Sequence, residues 1–228
     1  MTFLYTDKKM ANTKRIAKEL EQFNKNENSN LVYLCAIDDN LLDLQGLVIG
    51  PPDTPFEGAF LYFSIIPDNY PHSPPKVKFL TPYSGECRMH PNLYQTGKVC
   101  LSILGTWGKM DWSPLLTFEK ILLTIQGLLD DNPITHEPSF ENVSKNEKRG
   151  MDYSIQSRWL VLNSVMYMLN REDIPPCFKS AMKDFFESNL DLYRKSVKIL
   201  EPYHEQTVKT IHGLHKIDVS KLTSFFKI

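Results

Sequence analysis

The sequence predicts an α+β fold, and three observations carry that prediction. An amphipathic helical pattern comes first, several short β-type runs with short connections follow, and helical patterning returns after a long aperiodic stretch. From Met10 to Phe23 the apolar residues Ile16, Ala17, Leu20 and Phe23 recur at three- and four-residue steps, with Lys14, Arg15, Lys18 and Glu19 between them. Asn24 to Asn30 ends this helix. The runs Leu31 to Ile37, Leu42 to Ile49, Phe60 to Ile66 and Val77 to Leu80 are bounded by Asp, Asn, Gly or Pro clusters and read as strands. Parallel crossovers need about a dozen or more residues, so these short connections predict an antiparallel meander.

From Thr81 to Thr117 periodicity disappears while Pro, Gly, Cys, His and two Trp accumulate. An aperiodic stretch of this length usually carries function. A helix over Phe118 to Leu129 would face Ile121, Leu122, Ile125, Leu128 and Leu129 inward, and Asn132-Pro133 stops it. Beyond Ser144 the pattern reads as helical, with one stripe of Ile155, Trp159, Leu162, Met166 and Leu169. A second comprises Phe178, Met182, Phe185, Leu190, Tyr193, Val197 and Leu200. Pro175-Pro176 between them suits a helix entry, because the first turn leaves its N–H groups unused anyway. Thr210 to Ile228 is weakly patterned, a short helix or a loose tail. Residues 1–142 are therefore expected to form a core, and 143–228 a helical extension packed on it.

Composition narrows the function. The chain has 228 residues, 42% hydrophobic and 23% charged, long enough to bury a core without a metal or disulfide. A formal charge of -1, from 26 basic and 27 acidic side chains, argues against a nucleic-acid or anionic-membrane surface. The opening residues are too short and too polar for a signal peptide, and no run of about 18 apolar residues offers a membrane span. The expected location is cytoplasmic or nuclear. Cys35, Cys87, Cys100 and Cys177 form no Cys-x-x-Cys pair and read as reduced thiols.

The informative segment runs from His90-Pro91-Asn92 to Gly97-Lys98-Val99-Cys100-Leu101-Ser102-Ile103-Leu104. A thiol in such a loop suits acyl transfer, since a thiolate is both a strong nucleophile and a good leaving group. Three alternatives stand beside that reading. Cys100 packs as an apolar side chain; it joins Cys87 and His90 as a metal ligand, short of the fourth ligand a closed zinc site requires; or it serves a hydrolase with His90 as base.

This segment resembles the active-site signature of ubiquitin-conjugating enzymes. Gly50-Pro51-Pro52-Asp53-Thr54-Pro55-Phe56-Glu57-Gly58, Tyr70-Pro71-His72-Ser73-Pro74-Pro75-Lys76-Val77-Lys78-Phe79 and Trp112-Ser113-Pro114 stand in that family's order. The region around Leu101 to Trp107, the Asn132-Pro133 to Glu137-Pro138 ending and the helical appendage are similar to a long-tailed branch of the family. The resemblance implies an acyltransferase in which Cys100 accepts ubiquitin, or a ubiquitin-like protein, as a thioester from an activating enzyme. It then passes the modifier to a lysine or to a ligase cysteine. ATP is used by the activating enzyme, and no metal or organic cofactor is implied. Relatives that keep the fold purely for binding lack the cysteine, so an inactive binding module is the rival reading.

Residue by residue, the resemblance makes Asn92 a donor to the oxyanion of the transfer step. It leaves Glu137 and His136 as candidates to orient or deprotonate the attacking lysine, in a loop two residues longer than the common form. His90, Pro91 and Ser102 would brace the active-site loop. Lys14, Arg15 and Lys18 match the face that meets the activating enzyme, while His72, Pro114 and Leu115 match the ligase surface. His72 replaces the Phe that ligase-binding relatives often carry, which argues against ordinary ligase docking. The same likeness suggests a cis bond at Pro74-Pro75, and Trp107 and Trp112 are read as packing residues.

Overall fold

A computed structural model describes residues 2–25, 31–81 and 88–227, with side chains of the first helix from Thr13 onward. The first helix, α1 (Thr2–Lys25), is longer than its apolar periodicity indicates. Ile16, Leu20 and Phe23 bury against the sheet as their spacing requires. Four strands follow, β1 (Val32–Ile37), β2 (Asn40–Ile49), β3 (Phe60–Ile66) and β4 (Lys76–Phe79), in the order β1-β2-β3-β4 and antiparallel throughout. β2 starts at Asn40 rather than Leu42, because Asp38 and Asp39 (φ 48° and 57°) make a tight left-handed turn. Such residues tolerate that conformation better than β-branched ones, and the turn hand matches strand twist.

Helix α2 (Phe118–Gly127) is capped by Thr117, whose side chain accepts from the Lys120 N–H at 3.2 Å. Its buried residues Phe118, Ile121, Leu122 and Ile125 continue the core of the sheet. A buried carboxylate ties α1 to this region. Glu19 accepts from Tyr70 Oη at 2.5 Å and from the Phe118 N–H at 3.1 Å, and it pairs with Arg15. The cis peptide lies at Tyr70-Pro71, not at the expected Pro74-Pro75.

Three helices follow, α3 (Lys148–Leu169), α4 (Pro176–Ser188) and α5 (Leu190–Leu200). They share one hydrophobic cluster with the sheet. α3 is more deeply buried than one apolar stripe indicates: Leu160, Val161, Leu162, Val165 and Met168 are buried together with Gln156, Ser157 and Ser164. The reason is that α3 meets β3 on one side and α5 and later elements on the other. Trp159, Met166 and Leu169 of the expected stripe are only partly buried.

Polar contacts reinforce the seam. Tyr193 Oη donates to the Gly58 carbonyl at 2.9 Å, Arg171 Nη1 to Leu80 O at 2.9 Å, and Ser157 Oγ to Met89 O at 3.1 Å. Gly58 is required here twice over, by a φ of +74° and by the Tyr193 ring 3.0 Å from where a Cβ would stand.

The helical extension expected after residue 143 is interrupted by a hairpin, β5 (Thr207–Thr210) and β6 (Gly213–Lys216), and the stretch read as a short helix or a loose tail ends in α6 (Ser220–Phe225). Each strand has four residues, and Val208 and His215 are the buried ones. So short a run gives no readable alternation. Replacing Tyr193 by Phe leaves the buried Gly58 carbonyl without its donor, and urea unfolding should show a loss of about 1–3 kcal/mol. An unchanged midpoint would contradict the assigned seam.

Candidate active site

Between β4 and α2 the backbone forms no regular layer, so its polar groups must be satisfied locally. A small hairpin does this. Leu93 bridges Val99 and Lys98 bridges Lys78, while Phe79 N–H donates to Gly97 O at 2.8 Å. The turn at Gln95-Thr96-Gly97 needs glycine at its last position, where φ is +89° and a Cβ would lie 3.0 Å from the Phe79 carbonyl. The hairpin leaves Cys100 directly after its second arm.

Cys100 and Asn92 are linked reciprocally. The Cys100 N–H donates to Asn92 O at 2.9 Å, and Asn92 Nδ2 donates to Cys100 O at 2.9 Å. Asn92 Oδ1 is buried with no hydrogen-bond partner. Thr106 Oγ1 accepts from Leu101 N–H at 3.0 Å and donates to Val99 O at 2.6 Å, securing the other side of the cysteine. Ser102 opens a short 3₁₀ turn and its carbonyl accepts the Gly105 and Asp111 N–H groups.

His90 is fully buried. Its Nδ1 accepts from the Asn92 N–H at 3.0 Å, so its Nε2 donates to Leu128 O at 2.9 Å. Both ring nitrogens are thereby engaged, which leaves none for a metal; Cys87, the other ligand considered, lies outside the described residues. Burial, reinforced by the nearby His136, pushes the His90 imidazole down to about 3. His90 thus ties the cysteine loop to the end of α2 as a neutral ring. Pro91 is buried beside it, and its carbonyl accepts from Arg88 Nη1 at 3.4 Å.

Cys100 retains 2% of its surface and lines a cleft of about 400 Å³. Asn92, Leu128, Thr135 and His136 share the lining, and the exposed residues Ser102, Trp107, Pro138 and Glu141 open it to solvent. The two lysine-orienting candidates separate here. A 3₁₀ turn, Pro133–His136, delivers His136 to the cleft. Glu137 is instead drawn away to Arg88 at 2.9 Å, and His212 of the β5–β6 turn lies 3.4 Å from the same oxygen. His212 also meets Tyr153 Oη at 3.2 Å. Burial, with help from Arg88, lowers His212 to about 4. The network that occupies Glu137 is invisible in the sequence because its members are far apart along the chain.

The remaining candidates are dispersed. Lys14 and Lys18 are exposed on α1, whereas Arg15 is half-buried and committed to Glu19. His72 and Pro114 are exposed and Leu115 is 84% exposed. Trp112 draws their two loops together by donating to Pro71 O at 2.8 Å. Trp112 packs as expected, but Trp107 does not: it is 46% exposed at the cleft rim. Cys35 is half-buried and Cys177 exposed, neither lining this cleft.

Fold and motifs point to one family: the profile of ubiquitin-conjugating enzymes matches residues 15–159, and the chain belongs to that family. The long-tailed branch read from the sequence is the one its relatives represent. Ubiquitin-conjugating enzyme E2 Z from Homo sapiens is 45% identical over 176 residues, which is 76% of this chain and 50% of that protein. Probable ubiquitin-conjugating enzyme protein 17 from Caenorhabditis elegans is 37% identical over 193 residues, 81% of this chain and 26% of its own length. The chain therefore spans about half of the E2 Z protein and a quarter of the nematode one. Among solved structures, the E2 domain of a Toxoplasma gondii ubiquitin conjugating enzyme superposes with a TM-score of 0.50 at 30% identity, covering 64% of this chain and 94% of that one. No helix among the described residues is long and apolar enough to cross a membrane.

Acid should test the buried imidazoles. With a native value near 3 for His90 and an unfolded value of about 6.5, only the unfolded chain binds the proton between these limits. Stability is then complete above about pH 6.5 and falls as pH drops toward 3, by up to about 1.4 kcal/mol per pH unit for one such group. Unfolding titrations should show this slope reduced in His90→Asn; equal slopes would contradict the neutral assignment.

Proposed function

We propose that Cys100 carries ubiquitin, or a ubiquitin-like protein, as a thioester received from an activating enzyme and released to a lysine or a ligase cysteine. The observation that carries this reading is a thiol seated at an open cleft and clamped reciprocally to Asn92, within the residues the family profile matches. With 2% of Cys100 exposed, the modifier's extended tail must enter along the cleft to reach the sulfur.

Asn92 supports the second transfer. One hydrogen of its Nδ2 holds the Cys100 carbonyl, and the other is free to meet the oxyanion that develops when an amine attacks. A donor so placed contributes about 2.7–4 kcal/mol to the transition state. His90, Pro91 and Ser102 act by holding the loop. In this reading residues 1–142 are the catalytic core and 143–228 its extension. Exposed Lys14 and Lys18 are available to an acidic activating-enzyme surface, while Arg15 serves the interior. Pro114 and Leu115 offer apolar contact to a ligase, next to a polar His72.

Incubation with ubiquitin, an activating enzyme and ATP should give a reductant-sensitive band that Cys100→Ala lacks. Absence of the band with ubiquitin and with ubiquitin-like proteins, each with its own activating enzyme, would overturn the carrier reading. Asn92→Ala should load normally and discharge to lysine about 100-fold more slowly. Wild-type discharge would remove Asn92 from the transfer step.

A further inference from the structure

The cleft beside Cys100 contains a paired imidazole and carboxylate. His136 Nε2 lies 2.8 Å from Asp130 Oδ2, and the other carboxylate oxygen accepts from the Asn132 N–H at 2.9 Å. Burial raises the Asp130 carboxyl, but the hydrogen bonds from His136 and Asn132 outweigh it and hold the group below the ordinary carboxylate range. An ionised carboxylate only accepts, so His136 Nε2 carries its hydrogen and Nδ1 is left to take a proton.

The surroundings favour His136 over its neighbours. His90, with ring centroid 5.0 Å from that of His136, has both nitrogens engaged and is held neutral. Glu137 is occupied by Arg88 and His212. Glu141 also lines the cleft, but one of its oxygens accepts from the Ser139 N–H at 3.1 Å. His136 shares the cleft with Cys100.

The geometry points to His136 as the proton acceptor for an attacking amine, with Asp130 as the positioning residue that fixes its ring and tautomer. This rests on the carrier reading above. A neutral primary amine bonds to the thioester carbonyl carbon, and His136 Nδ1 takes the proton from the nitrogen. The C–S bond breaks with its electron pair going to Cys100. The imidazolium then returns the proton to the thiolate or to water, leaving an amide and a free thiol. A thiol acceptor attacks as its thiolate and needs no such base.

Wild type, His136→Gln and Asp130→Asn, each loaded with ubiquitin, are chased with free lysine and separately with a small thiol, from about pH 6 to 9. All three should load equally. His136→Gln should discharge to lysine about 100-fold more slowly and to the thiol unchanged. Asp130→Asn removes the carboxylate that fixes the ring and its tautomer, so it too should slow discharge to lysine while leaving discharge to the thiol unchanged.

Wild-type lysine discharge by His136→Gln overturns the assignment, as does equal slowing toward both acceptors, which marks a structural role. Glu141→Gln, loaded and chased in the same way, should discharge as the wild type does; a loss in that variant that His136→Gln does not share also overturns the assignment, and wild-type lysine discharge by Asp130→Asn removes Asp130 from its role. If the wild type forms no reductant-sensitive adduct, the carrier reading falls first and this inference with it.

Discussion

The reciprocal hydrogen bonds between Asn92 and Cys100 are the constraint on which the rest of the site depends. They lie in a stretch with no sheet or long helix to satisfy its backbone, so a loop of this length must fasten itself. His90 extends the fastening to α2 through Leu128, and Thr106 closes it on the far side. Breaking both bonds would leave four polar groups without their partners, a loss comparable to a sizeable fraction of a domain's net stability, whereas removing the Asn92 side chain alone spares the backbone bond. The cysteine is thus presented by a rigid loop without belonging to a regular element.

The later part of the chain acts on this loop from behind. α3 carries Ser157 onto the Met89 carbonyl and Tyr153 toward His212 of the hairpin turn. His212 and Arg88 converge on Glu137, the residue between two that line the cleft, His136 and Pro138. A carboxylate whose two sequence neighbours line the cleft is in this way turned to Arg88 and His212 instead. His136, held by Asp130, remains at the surface of the cleft. These later elements therefore bear on which side chains line the cleft.

Much of the core was legible in the sequence because its signals are local. The period of α1 placed Ile16 and Leu20, the bounded apolar runs marked the four strands, and the pattern resuming at Phe118 marked α2, which ends at Gly127, two residues short of the expected Leu129. The cysteine loop was legible only through its motif, since nothing in the spacing of His90, Asn92 and Cys100 encodes the clamp between them. What escaped was non-local or too short. The hairpin from Thr207 to Lys216 buries too few side chains to show a period, the double burial of α3 depends on partners folded around it, and the diversion of Glu137 requires residues 49 and 75 positions away.

The account stands most directly on the identity of the atom that bonds the modifier. Cys100→Ser replaces that sulfur by oxygen in the same clamp. Incubated with ubiquitin, an activating enzyme and ATP, this variant should accumulate an adduct that resists thiols and is cleaved by hydroxide, with peptide mapping placing it at residue 100. An adduct that remains thiol-sensitive, or that maps to Cys35, Cys87 or Cys177, would contradict the account.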